Sequence, residues 1–70
     1  MASPRVRSIA DDIVKRIESN EFDFRLPTVS DTVTHYRASR RTIAEVWDVL
    51  RARGYTTTRR GVGTYIKKRS

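Results

Sequence analysis

Seventy residues lie near the lower limit at which one hydrophobic core sustains a fold unaided, so a single domain over residues 1–70 is expected, with no second lobe. Cysteine is absent, which excludes disulfides, thiolate metal sites and a cysteine nucleophile. Fifteen basic against eight acidic residues give +7, and the excess is one-sided: residues 1–36 carry five basic and six acidic groups, residues 37–70 ten basic and two acidic, so the second half alone holds +8 and favours polyanions, nucleic acid first and an anionic membrane surface second.

The opening residues, Met1 to Arg5, have no apolar signal core, and no apolar run is long enough for a membrane span; a soluble, cytoplasmic chain is expected. Val6, Ile9, Ile13 and Ile17 recur at helical steps, with Ala10 and Val14 widening the stripe, and Ser3-Pro4 supplies a cap and a first helical residue. The first helix is therefore predicted over about residues 4–19. Residues 20–25 form a link in which Phe22 and Phe24 pack down on the core, and Leu26-Pro27 stops any continuing helix. Thr28 with Asp31 resembles a capping box and opens a second helix over about residues 28–36, facing inward through Val29, Val33 and Tyr36.

Arg37-Ala38-Ser39 is a three-residue connection, with Ser39 as cap of a third helix that carries Ile43, Val46, Trp47 and Leu50 at helical spacing and stops at Gly54. Two helices so joined form a helix-turn-helix pattern. Beyond Gly54 the texture turns β-rich: Tyr55 to Thr58 and Gly63 to Ile66 flank Arg59-Arg60-Gly61-Val62, a hairpin with a basic tip. A lone hairpin is marginal, so it must pack on the helices through Tyr55, Val62, Tyr65 or Ile66. The expected class is α+β, a winged helix-turn-helix of three helices and a two-stranded wing, followed by a basic tail at residues 67–70.

The candidate contacts gather on two elements. Ser39, Arg40, Arg41 and Thr42 open the third helix, where backbone amides suit phosphate, hydroxyls donate to phosphate or base, and an arginine can form a two-pronged contact with guanine. Cations are unfavourable at a helix N-terminus, so local structure does not call for Arg40 and Arg41, whereas an external anion does. Arg37 before that helix and Thr28 at the start of the second join the set. In the hairpin, Gly61 permits a sharp turn and close approach, and Arg59 and Arg60 suit the negative potential of a minor groove. Trp47 is in register with the core residues and is read as packing. His35 is the only histidine, and with Asp31 one turn earlier it makes no metal set; no catalytic, metal or cofactor site is expected.

In order and spacing, Leu26-Pro27-Thr28, Ala38-Ser39-Arg40-Arg41-Thr42-Ile43, Leu50, Gly54 and Gly61-Val62-Gly63-Thr64-Tyr65-Ile66 resemble the landmarks of the winged-helix DNA-binding domain of the GntR family of bacterial transcription regulators, over about residues 5–67. The resemblance implies that Ser39, Arg40, Arg41 and Thr42 are recognition-helix contacts and that Arg60 and Gly61 belong to a wing at the minor groove. Ser30 and Ala44 stand where family members often carry arginine, and Thr32-Val33 replaces an apolar-small Leu-Ala step. The family's C-terminal effector and dimerisation domain has no counterpart in these residues. The expected activity is sequence-specific binding of double-stranded DNA by a transcription regulator, a repressor acting as two copies on a palindromic site and associated with the nucleoid. The rival readings are a DNA-binding accessory protein of recombination or plasmid transfer, and a module that docks an acidic protein.

Overall fold

The computed structural model describes residues 3–22, 24–59 and 63–67. Three helices, α1 (Pro4–Glu18), α2 (Val29–Tyr36) and α3 (Arg40–Ala52), precede two strands, β1 (Thr56–Arg59) and β2 (Gly63–Ile66). Each helix starts where a short hydroxyl side chain relieves its free amides. Ser3 accepts from the Val6 amide, Thr28 from Asp31 and Ser39 from Thr42, all with extended backbone at the cap.

The helix ends are less uniform. After α3, Gly54 at φ 84° lets its own amide reach the Arg51 carbonyl and the Tyr55 amide reach that of Leu50, closing the last turn. The same pair of bonds ends α1, from Asn20 to Ile17 and from Glu21 to Arg16, with Asn20 at φ 58° in the left-handed place. Ser19 thus lies outside α1 as its cap, one residue short of the predicted end.

The helices bury one aliphatic core of Val6, Ile9, Ala10, Ile13, Leu26, Ala38, Ile43, Val46 and Leu50. Phe22, Tyr36 and Trp47 pack around it, half-buried. The α2 residue that goes fully inside is Thr32, 1% exposed, while Val29, Val33 and Tyr36 flank it. Its hydroxyl donates to the Thr28 carbonyl at 2.8 Å, so a polar group is satisfied within the helix while the methyl packs inward. This resolves how a threonine occupies a site where the GntR landmarks have an apolar residue.

β1 and β2 pair antiparallel, from Thr56 opposite Ile66 to Arg59 opposite Gly63. Thr56 and Ile66 share the inward face, and Ile66 packs on the core as expected. Phe24 departs from expectation: it is 58% exposed, and it joins the sheet through its backbone. The Ile66 amide donates to the Phe24 carbonyl at 2.8 Å and the Leu26 amide to that of Thr64 at 3.1 Å, with Arg25 bridged to Tyr65. Residues 24–26 therefore bridge to the free edge of β2 without forming a strand. The Phe24 ring stacks on Tyr65 at 6.1 Å between centroids, and Arg25 lies over the other aromatic partner, 5.7 Å from the Tyr65 centroid.

Candidate nucleic-acid interface

The candidate surface is built from the turn between α2 and α3 outward. Arg37 adopts φ 53°, ψ 45°, a left-handed conformation that glycine or asparagine usually supplies. Its amide and that of Ala38 both donate to the Val33 carbonyl, and Ala38 is buried. From α1, Arg5 Nη2 donates to the carbonyls of Tyr36 at 2.8 Å and Arg37 at 3.1 Å. A cation thus sits at the α2 C-terminus, where the helix dipole favours it, and braces the turn that sets the angle of α3.

Ser39 and Thr42 form one unit at the start of α3. Ser39 Oγ accepts the Thr42 amide at 3.1 Å and lies 2.9 Å from Thr42 Oγ1. One of the two hydroxyl hydrogens is used between them, which leaves the other to donate outward. Arg41 is 92% exposed in its side chain, with Glu45 at 4.0 Å as a weak ion partner. Arg40 is also exposed, and its Nη2 donates to Ser30 Oγ on α2 at 2.9 Å. That bond joins the first turns of α2 and α3, and Thr28 is two residues from Ser30 with its oxygen accepting the Asp31 amide at 3.1 Å.

Of the sequence-predicted contacts, Thr28, Arg37, Ser39, Arg40, Arg41 and Thr42 therefore belong to the helix-turn-helix and its two helix starts. Arg59 ends β1 with its backbone paired to Gly63. Arg60 and Gly61 lie outside the described residues, as do Val62 and tail residues Lys68, Arg69 and Ser70. Gly63 adopts φ 126°, a conformation that L side chains rarely take, and a Cβ there would lie 3.2 Å from the flexible end of the Arg25 side chain. Sequence reasoning missed Arg5 and the acceptor role of Ser30. Both act across the fold, Arg5 on a turn more than thirty residues away, and no local spacing marks them.

A second polar group, remote from the helix starts, holds α1 to α2. Tyr36 donates to Asp12 Oδ2 at 2.6 Å and accepts from Arg16 Nη1 at 3.0 Å, while Arg16 also pairs with Glu21 and lies over the Phe22 ring. Burial and the bond to Asp12 raise the Tyr36 phenol above its ordinary pKa, against the opposing pull of Arg16. Among the described residues, no group of three or more His, Asp or Glu could hold a metal ion, and no helix is long and apolar enough to cross a membrane.

The architecture is a winged helix-turn-helix, and solved structures share it closely. A possible transcriptional regulator, YydK from Bacillus subtilis subsp. subtilis str. 168, matches with TM-score 0.88 and 23% identity over 97% of this chain and 31% of its own. The AraR DNA-binding domain in complex with operator ORR3 matches with TM-score 0.84 and 20% identity, over 96% of this chain and 83% of its own. Protein lin2111 of Listeria innocua Clip11262, described as functionally unknown, matches at 0.87 and 28% identity over 96% and 30%. The chain thus spans less than a third of the YydK and lin2111 chains. No protein-family model matches the sequence, and no curated protein sequence matches it.

Proposed function

We propose that this domain binds duplex DNA sequence-specifically as a transcription regulator, with α3 in the major groove and the wing between β1 and β2 at the minor groove. The observation that carries the proposal is the exposed start of α3. Arg40, Arg41 and the Ser39–Thr42 hydroxyl pair project from a rigid cap, beside a second helix start and a cationic turn, and no fold requirement explains two arginines there. The shared fold supports it, since the AraR domain was solved with its operator. The function is binding without catalysis. It is exercised in the cytoplasm on the nucleoid, by two copies on a palindromic site that represses by covering a promoter.

Selection of bound duplexes from a randomised pool, followed by affinity measurement over a salt series, tests this. Enrichment of a motif is expected, with a repeated half-site. Each phosphate contact contributes roughly −0.9 to the slope of log affinity against log salt, so five give about −4.5. Steep salt dependence without enrichment would identify an architectural DNA binder instead, and no binding at low salt would leave a protein-docking role.

A further inference from the structure

Ser30 stands early in α2 at a place where the GntR resemblance has arginine, and it is the partner of Arg40. We infer that Ser30 is a positioning residue for Arg40, an inference that rests on the proposed DNA-reading role of α3. By accepting one N–H from Nη2, the serine oxygen narrows the orientations open to the guanidinium and leaves its other donors for a base edge.

Both ends of this tether are anchored. Ser30 lies in the turn capped by Thr28, and its carbonyl accepts from Thr34 Oγ1 at 3.1 Å. Arg40 follows directly on Ser39, whose side chain caps α3. The acceptor is neutral, so it orients the cation without neutralising it as a carboxylate would, and without repelling it as an arginine would. An untethered exposed arginine must lose rotamer freedom when it binds, and a preset one has already lost it. The gain corresponds to about two- to tenfold in affinity.

The test uses the protein with Ser30→Ala, Ser30→Thr, Arg40→Ala and the Ser30→Ala/Arg40→Ala pair, titrated on the best selected duplex and on every single base-pair variant of it. Ser30→Ala is expected to weaken binding about two- to tenfold and to flatten preference only at the base pairs that Arg40→Ala also flattens. Ser30→Thr restores both, and the double variant binds no worse than Arg40→Ala alone. The salt slope of Ser30→Ala stays at the wild-type value, because no charge is lost. Both residues are exposed, so the melting temperatures of Ser30→Ala and Arg40→Ala should stay within a few degrees of wild type, and the base preference rather than the melt separates positioning from folding. Additive losses in the double variant, or an unchanged base preference in Ser30→Ala, would overturn the inference while the DNA reading stands. A wild-type protein with no preference among duplexes would sink both.

Discussion

Arg37 gives the sharpest test, because its backbone and its side chain predict effects of opposite sign. The left-handed conformation at φ 53° costs an L-residue about 1–2 kcal/mol. Every hydrogen bond of the turn runs through backbone atoms, namely the Arg37 amide and carbonyl and the Ala38 amide, so shortening the side chain leaves them in place. Glycine relieves the strain but returns about 0.5–1 kcal/mol through the freer unfolded chain. The net for Arg37→Gly is a stabilisation of up to about 1.5 kcal/mol, which raises Tm by up to about 10 °C in a domain of this size. On DNA the same change deletes one cation, so affinity falls and the salt slope becomes shallower by about 0.9.

Thermal melts by circular dichroism and anisotropy titrations at four salt concentrations read the two effects separately. Arg37→Asn, which also tolerates the left-handed region, should behave in the same way on DNA. Arg37→Lys should keep the wild-type slope. A lower Tm for Arg37→Gly would show that the side chain supports the fold, and a raised Tm with an unchanged slope would remove Arg37 from the DNA surface.

Four further outcomes are expected. Arg5→Ala removes two bonds to the carbonyls that end α2 and should cost about 1 kcal/mol in urea unfolding, with amide shifts centred on Arg37 and Ala38; shifts confined to α1 would contradict the bracing role. Thr56 is 2% exposed and its hydroxyl has no partner among the described residues, so Thr56→Val should stabilise by about 1–2 kcal/mol with DNA affinity unchanged, and a destabilised variant would reveal a hidden partner. The folded Tyr36 pKa is raised, so its contribution to stability is complete below the unfolded phenol value of about 10 and is lost as pH rises through the folded value. Tyr36→Phe should accordingly flatten the alkaline limb of a stability profile taken from pH 8 to 11, and an unaltered limb would exclude this phenol as its source. Arg41→Ala should leave stability within about 0.5 kcal/mol but cost about 1–3 kcal/mol on the selected duplex, and a uniform loss over all sequences would argue against base reading.

The features legible in the sequence are those set by neighbours along the chain. Ser3-Pro4, Thr28 and Ser39 marked the helix starts because a cap acts within three residues, and the inward faces of α1 and α3 followed from helical spacing. Gly54 marked a helix end because glycine carries that conformational preference visibly. Arginine carries none, so the left-handed turn at Arg37 left no trace, and Asn20 left only a weak one. Phe24 misled for a different reason. An aromatic in a link is expected to bury, yet its place is set by β2, some forty residues later, which captures its backbone and leaves the ring stacked on Tyr65 at the surface. Thr32 was visible as an oddity, but only the 2.8 Å bond to Thr28 explains why a hydroxyl is tolerated in the core. The basic character of the α3 start was readable from charge alone, whereas the way Ser30 holds Arg40 required the two helix starts to be seen together.

The bonds from Leu26 to Thr64 and from Ile66 to Phe24 also tie the end of the chain to its middle. β2 is clasped to the segment that runs, two residues later, into the Thr28 cap, so the strand and the start of α2 are joined by main-chain hydrogen bonds as well as by the chain itself. A substitution that breaks the pairing of β2 with residues 24–26 should therefore also loosen the entry to α2.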